Sequence, residues 1–317
     1  MTMADPGLLR LIRESPVPPA LPPPTLPADL EALLFPPRAG GAFPFKGIHT
    51  VIFDVYGTLF SSAAGDISGA GDRAASNERL EALARELGCT AQELGDHFHR
   101  EVQRLHGELG EKTPYPEVRV EEIWADFLNR CNGPAGGPAG DRAAGGLAGA
   151  EKLPLSAREL ALRYELAVNP VSPMPGAGET LKMLKARGIR LGLISNAQFF
   201  TPLLFEAFFG ALPEKLGFDP DLLIYSYELG EAKPSPALFT PPVRCLESLG
   251  LDTRHALYIG NDMLNDVYAA ARAGFTALLF AGDARSLRLR EGHPLAGNTR
   301  PAAVIRNLGD IGGLLGF

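Results

Sequence analysis

Short, nearly continuous apolar runs rich in β-branched and aromatic residues appear once near the start of the chain and then repeatedly through its second half. The first reads Thr50-Val-Ile-Phe-Asp54; others follow at Arg190 to Ser195, Leu222 to Tyr227, Ala256 to Gly260, Thr276 to Phe280 and Ala303 to Ile305. Runs that are apolar throughout, rather than alternating, are expected of strands buried on both faces. Segments of helical period separate them. Leu181 and Leu184 share a face within Gly178 to Arg187, while Ser235-Pro236 supplies a cap and a first-turn proline for a helix predicted to run through Leu249. Alternation of strand and helix predicts an α/β fold, a Rossmann-like parallel sheet covered on both faces.

From about Ser62 to Pro173 the pattern changes. No strand-like run is evident, Leu80, Leu83 and Leu87 form a helical stripe, and Thr90 with Glu93 and Ser156 with Glu159 have the spacing of capping boxes. The expected organisation is a Pro-rich N-terminal arm at 1–45, an α/β core at 46–61 and 174–317, and an α-helical cap at 62–173 inserted after the first strand. The arm carries Pro16, Pro18, Pro19, Pro22, Pro23, Pro24, Pro27, Pro36 and Pro37, a density that disfavours helix and sheet and predicts extended, surface-wrapping or mobile chain. Composition favours a plain linker over a partner-docking tract. Gly133 to Gly149, nearly all Gly, Ala and Pro, reads as a loose loop within the helical segment.

Composition narrows the function. Among 317 residues, 45% are hydrophobic and 21% charged, which is ordinary for a globular chain. A formal charge of -7 without a block of Lys and Arg argues against nucleic acid as a partner. No apolar run is long enough to span a bilayer, so no membrane partner is expected. Cys89, Cys131 and Cys245 are too scattered for a disulfide framework or zinc knuckle, which suits a reducing, cytoplasmic setting. The first residues lack the apolar core of a secretory signal and are read as uncleaved. Oligomeric state stays open.

The chemistry lies at strand ends. Asp54-Val-Tyr56-Gly57-Thr58, Ser195-Asn196, Lys233-Pro234 and Gly260-Asn261-Asp262-Met-Leu-Asn265-Asp266 each follow a predicted strand. Ligands of open parallel sheets bind outside the carboxyl ends of the strands, so these segments can share one crevice. A carboxylate there can attack phosphorus and split one displacement into two; Asp54 is the candidate nucleophile. The Gly57-Thr58 turn is expected to offer N–H groups to phosphoryl oxygens, with Ser195 and Asn196 as further contacts. Lys233 supplies the positive charge that lets nucleophile and phosphate approach. Asp262 and Asp266, one helical turn apart, together with Asp54 make a hard-oxygen set suited to Mg²⁺.

With these four segments in order, the chain resembles the haloacid dehalogenase-like hydrolase superfamily. IFDVYGTLF and IGNDMLNDV are the specific elements, whereas the lone Ser and Lys gain meaning only in series. The resemblance implies a Mg²⁺-dependent hydrolase acting on a small phosphate ester through phosphoaspartate at Asp54, with Ser195 and Lys233 stabilising the phosphoryl group. It further implies metal ligation by Asp54, the Tyr56 carbonyl and Asp262, with Asp266 nearby or orienting Lys233. One position departs. Phosphatases of the family usually carry a second Asp two residues after the nucleophile, as general acid and base; here that position is Tyr56. A phenol of pKa near 10 is a poor base at neutral pH, and such catalysis is worth about 10² to 10⁴ in rate. Two alternatives follow: a metal-independent 2-haloacid dehalogenase-type hydrolase, whose halide leaves without a proton, and a phosphate-binding protein with little turnover. The acidic pair at Asp262 and Asp266 favours phosphoryl transfer.

Other polar positions read more simply. His97, His99 and His106 are expected on a solvated helix face, and Trp124 with Phe127 inside the cap core.

Overall fold

The computed structural model describes residues 5–15, 21–36, 45–62, 73–131 and 155–317. The Gly133 to Gly149 loop and Pro16, Pro18, Pro19 and Pro37 of the arm lie outside the described residues.

In chain order the strands are β1 (Leu34–Phe35), β2 (Thr50–Phe53), β3 (Phe60–Ser62), β4 (Val171–Pro173), β5 (Arg190–Ser195), β6 (Phe218–Tyr225), β7 (Ala256–Gly260), β8 (Thr276–Phe280) and β9 (Ala303–Ile305). Seven of them form one sheet in the order β1-β9-β8-β7-β2-β5-β6, with every pairing parallel. After β1 at the outer edge the chain crosses to the central β2, runs outward through β5 and β6, then returns to β2's other edge and runs through β7, β8 and β9 back to β1. The order therefore reverses at β2, the switch point at which open parallel sheets place their crevice.

Alternate residues of each strand face opposite sides. Val51, Phe53, Leu191, Leu193, Leu257 and Ile259 join one apolar layer, and Ile52, Ile194, Tyr258, Leu279 and Val304 join the other. Burial on both faces accounts for the unbroken apolar runs in the sequence.

The predicted elements shift in two places. β6 begins at Phe218 and ends at Tyr225, with a register irregularity against β5 between Leu191 and Leu193. The helix expected from Ser235 through Leu249 is divided into a 3₁₀ turn, Pro236–Leu238, and a helix, Thr240–Ser248. Pro241 and Pro242 have no N–H to continue the first turn, so the second helix starts afresh on them.

The arm is more ordered than its proline content predicts. Asp5 caps a helix, Pro6–Arg13, that buries Leu8, Leu9 and Ile12 against the core. Further on, Leu34–Phe35 pairs in parallel with β9 and extends the sheet. The prolines lie between and around these elements, and the amphipathic Leu-Leu-Arg-Leu-Ile stretch was the overlooked pattern.

Between β3 and β4 run helices Arg73–Glu86, Ala91–Gly110, Val120–Cys131 and Ala157–Val168. β3 and β4 pair antiparallel, and the Ser61 and Ser172 hydroxyls hydrogen-bond at 2.7 Å. Thr90 and Glu93 form the reciprocal capping box that their spacing predicts. Trp124 and Phe127 are core residues of these helices, with Phe98 and Tyr164 beside Trp124. His97 corrects the expectation of a solvated face: it is buried against Trp124 and Phe127.

Ile12 is fully buried, so Ile12→Ala is expected to destabilise the protein by roughly 2–5 kcal/mol. Leu21→Ala, at an exposed position, is expected to stay within about 0.5 kcal/mol. Urea denaturation of the two variants decides whether the N-terminal helix belongs to the cooperative fold.

Candidate active site

The parallel register brings the ends of β2, β5, β6 and β7 together. Asp54 immediately follows β2, and its backbone N–H donates to the Ile259 carbonyl at 2.9 Å, so the ladder with β7 fixes its start. Its Oδ1 accepts hydrogen bonds from Ser195 Oγ at 2.9 Å and Lys233 Nζ at 2.7 Å. Asn196 Oδ1 accepts from the Lys233 backbone N–H at 2.7 Å, which ties the loop after β6 to the end of β5.

The Lys233 ammonium is buried and bridges two carboxylates, donating also to Asp266 Oδ1 at 2.5 Å and to the Tyr258 hydroxyl at 3.1 Å. Burial alone would lower its pKa, but Asp266 and Asp54 outweigh that and hold it above the ordinary lysine value. Burial conversely pushes the Asp266 carboxyl up, against the opposing pull of Lys233. Tyr258 lies within 2.9 Å of both the Ile194 carbonyl and Asp266 Oδ1.

After β7 the chain winds through a wide π-helical turn, Met263–Tyr268, capped by Asp262, whose Oδ1 accepts from the backbone N–H groups of Leu264 and Asn265. Asp266 Oδ2 accepts from the Asp262 N–H at 2.9 Å. This turn requires Gly260, since a Cβ there would lie 2.2 Å from Asp266 Cγ. Spacing placed the two acids on one face of a helix; the structure instead sends Asp266 inward to Lys233 and turns Asp262 toward Arg290. The Arg290 guanidinium grips both oxygens of Asp262, with Nε at 3.0 Å and Nη2 at 2.6 Å from Oδ2.

Two expected phosphate donors are differently employed. Gly57 N–H donates to the Phe60 carbonyl at 2.7 Å, and Thr58 N–H to the Val55 carbonyl at 3.3 Å. Thr58 Oγ1 donates to Asn261 Oδ1 at 3.2 Å. These hydrogen bonds close the tight turn that presents Asp54. Gly57 has φ +84°, and a Cβ on it would meet the Asn261 amide at 2.6 Å.

Asp54, Tyr56, Asn196, Lys233, Asp262 and Asp266 all line a cavity of about 300 Å³. The inserted helices form its other wall, contributing Phe98, His99, Val102, His106, Glu165 and Asn169. His99 and His106 are solvent-exposed, as expected of a solvated helix face, and lie at the edge of this cavity. The Tyr56 hydroxyl hydrogen-bonds Thr201 Oγ1 at 2.9 Å, and burial drives its pKa far above the ordinary phenol value. A phenol so held neither donates nor accepts a proton readily near neutrality.

The oxygen donors available at the cavity are of the hard type that a dication prefers. Among the described residues no hydrogen bond reaches Asp54 Oδ2, whereas Asp262 is satisfied by Arg290. Among the described residues, no three acidic, His or Cys side chains already stand together as a metal cluster. Asp54 and Asp262 fit the chemistry of a magnesium site, and Arg290 is the cation that competes for it.

Comparison with known proteins follows the same lines. A family model described as haloacid dehalogenase-like hydrolase matches residues 48–274. Phosphoglycolate phosphatase 1 of Pseudomonas aeruginosa is 34% identical over 139 residues, which is 43% of this chain and 45% of that protein. Phosphoglycolate phosphatase of Nitrosococcus oceani is 33% identical over 146 residues, covering 44% of this chain and 56% of that one. The chain spans about half the length of these curated relatives. A solved HAD phosphatase from Thermococcus onnurineus superposes with TM-score 0.50 at 22% identity, covering 85% of this chain and 98% of that chain, a likeness of fold.

Removing the central ammonium tests the cluster. Lys233→Met leaves two carboxylates buried without a counter-charge, so it is expected to cost roughly 3–5 kcal/mol near neutrality. With that cation gone the pull that lowers the Asp266 carboxyl is lost, so its folded-state pKa rises further. The deficit should therefore narrow as pH falls toward about 4, where the unfolded carboxylates also take up protons. Adding Asp266→Asn should recover part of the loss, as read by urea denaturation of the single and double variants.

Proposed function

Because the chain belongs to the haloacid dehalogenase-like hydrolase family, we propose that it hydrolyses a small phosphate monoester through a phosphoaspartyl intermediate on Asp54. The observation that carries this reading is the state of the Asp54 carboxylate. Oδ1 is fixed by Ser195 and Lys233, while Oδ2 takes no hydrogen bond among the described residues, and Asp54 lines a cavity sized for a small molecule. A carboxylate anchored on one oxygen presents the other in one direction, as in-line attack on phosphorus requires. Lys233 and Ser195 beside it supply positive charge and a donor for the phosphoryl oxygens. The phosphatase names of the curated relatives point to the same substrate class.

Asp54, Asp262 and the main-chain carbonyl of Tyr56 are the groups that would hold Mg²⁺. The ion would offset charge between carboxylate and phosphate. The helices between β3 and β4 act in this reading as a cap over the substrate, in a cytoplasmic enzyme of the core-and-cap organisation that the sequence suggests.

A second reading has its own support. Tyr56 at the acid position and Arg290 on Asp262 describe a site that needs neither proton donor nor metal, as a 2-haloacid dehalogenase-type reaction would.

One assay separates them. Wild-type protein incubated with a panel of phosphate monoesters and with 2-chloropropionate should release phosphate, lose activity in EDTA and fall to background as Asp54→Asn. Halide release that survives EDTA would instead establish the second reading. In parallel, Arg290→Ala frees Asp262 from a charge-assisted contact of about 1.5–3 kcal/mol, so calorimetric titration should show Mg²⁺ binding about ten- to a hundredfold tighter. Unchanged affinity would remove Asp262 from the ligand set.

A further inference from the structure

The proposed phosphatase chemistry needs a proton for the leaving oxygen and a base for the water that follows, and Tyr56 is suited to neither. Each of the other titratable groups at the cavity is already engaged or unfavourably charged. Asp262 is held by Arg290, and Asp266 by Lys233 and Tyr258. Glu117 accepts from Ser226 Oγ at 2.7 Å and from the Val118 N–H at 3.0 Å. His99 is committed to the Gly95 carbonyl of its own helix at 2.7 Å. His106 is exposed on the same helix, and desolvation lowers its ring pKa, which disfavours the charged form that would donate the proton.

Glu165 differs from all of these. It projects from the helix Ala157–Val168, is half-buried and lines the same cavity as Asp54. No cationic side chain is paired with it among the described residues. Its Oε1 accepts a hydrogen bond from Asn169 Nδ2 at 2.8 Å, and Asn169 Oδ1 accepts in turn from Ser62 Oγ at 2.7 Å. This relay begins at the end of β3, eight residues beyond the nucleophile, and fixes the carboxyl relative to the strand that carries it. Glu165 and Tyr56 line the same cavity, and Glu165 is the charged group that acts most strongly on the Tyr56 phenol.

We propose that Glu165, reaching in from the inserted helices, is the general acid and base of this enzyme, replacing the aspartate that Tyr56 displaces. The inference rests on the phosphatase reading above. In the first step Asp54 Oδ2 bonds to phosphorus, the P–O bond to the leaving group breaks, and the Glu165 carboxyl proton passes to that oxygen, releasing an alcohol. In the second, Glu165 carboxylate takes a proton from water as the water oxygen attacks phosphorus. The bond between phosphorus and Asp54 breaks, inorganic phosphate leaves and Glu165 is again protonated. Burial supports the assignment by holding the Glu165 carboxyl up to about 7, where both protonation states are populated at neutral pH.

The test is leaving-group dependence, measured with Mg²⁺ present on wild type, Glu165→Gln, Glu165→Asp, Tyr56→Phe and Asp54→Asn. 4-Nitrophenolate departs with little help, whereas phenolate and alkoxide require a proton. Glu165→Gln should lower kcat/KM for phenyl and ethyl phosphate by about 10²- to 10⁴-fold, but for 4-nitrophenyl phosphate by less than about tenfold. With the nitrophenyl ester the same variant should also show a stoichiometric burst of nitrophenolate followed by slow turnover, because the base for the second step is missing. Glu165→Asp, which keeps a shorter carboxyl, should show the same split in milder form. Tyr56→Phe should keep the wild-type ratio between the esters. A purely structural Glu165 would lower all esters by one factor and give no burst, which overturns the proposal, as would a split appearing in Tyr56→Phe instead. If wild type cleaves none of the esters, or Asp54→Asn cleaves them equally well, the phosphatase reading falls and the role of Glu165 with it.

Discussion

The site depends on one buried ammonium. Lys233 draws Asp54 and Asp266 to within hydrogen-bond reach of a single nitrogen, and each of the three comes from a different segment: the end of β2, the loop after β6 and the turn after β7. Two carboxylates and a lysine taken out of water repay their desolvation only when geometry is close and the remaining donors and acceptors are satisfied. Tyr258 and the Asp262 N–H complete that satisfaction around Asp266, and Ser195 does so at Asp54. Parallel pairing of β2 with β5 and β7 is what lets the three segments end at one level. Gly260 then lets the wide turn fold back over its own strand end, where any side chain would strike Asp266. Fold and site are thus one constraint, because a shift of register in the central strands would separate the charges that Lys233 must neutralise.

The inserted helices are joined to this cluster at a point that matters. Pro116 and Glu231 form a backbone bridge, the Glu117 N–H donates to the Gly230 carbonyl at 3.0 Å and the Ala232 N–H to the Tyr115 carbonyl at 2.8 Å, directly before Lys233. Gln198, just past β5, clasps the same segment through the Val118 carbonyl and the Val120 N–H. The loop that delivers the ammonium is therefore held from below by Asn196 and from the side by the insert. Movement of the insert would reach the nucleophile through Lys233.

Much of this was legible in the sequence because it depends on local pattern. Double-faced burial writes unbroken apolar strands, and polar residues at strand ends inherit their order from the chain, so the candidates Asp54, Ser195, Asn196, Lys233, Asp262 and Asp266 could be named and do line or adjoin one cavity. What could not be read were contacts between distant segments. Arg290 sits in the stretch after β8 with no motif around it, and only the fold lays it on Asp262. Gly57 and Thr58 were expected as ligand donors because composition shows a turn but not whether its N–H groups point inward or close on Phe60 and Val55. The proline count hid an amphipathic helix at Pro6–Arg13, since breakers between elements do not forbid elements between breakers.

Tyr56 is where the two halves of the molecule meet. An acid carried two residues from the nucleophile rides on the same turn and keeps its place whatever the insert does. Here that turn carries a phenol fastened to Thr201, and Glu165, a cavity-lining carboxyl with no cationic partner among the described residues, belongs to the helix Ala157–Val168. Its orientation passes through Asn169 to Ser62, and Ser62 pairs with Val171 in the two-stranded link between core and insert. Proton transfer in this arrangement is available only when the link and the insert are in register with the core. Placing the proposed acid on the insert rather than on the turn would thus make the proposed chemistry depend on how the insert sits against the core, which a turn-borne aspartate does not require.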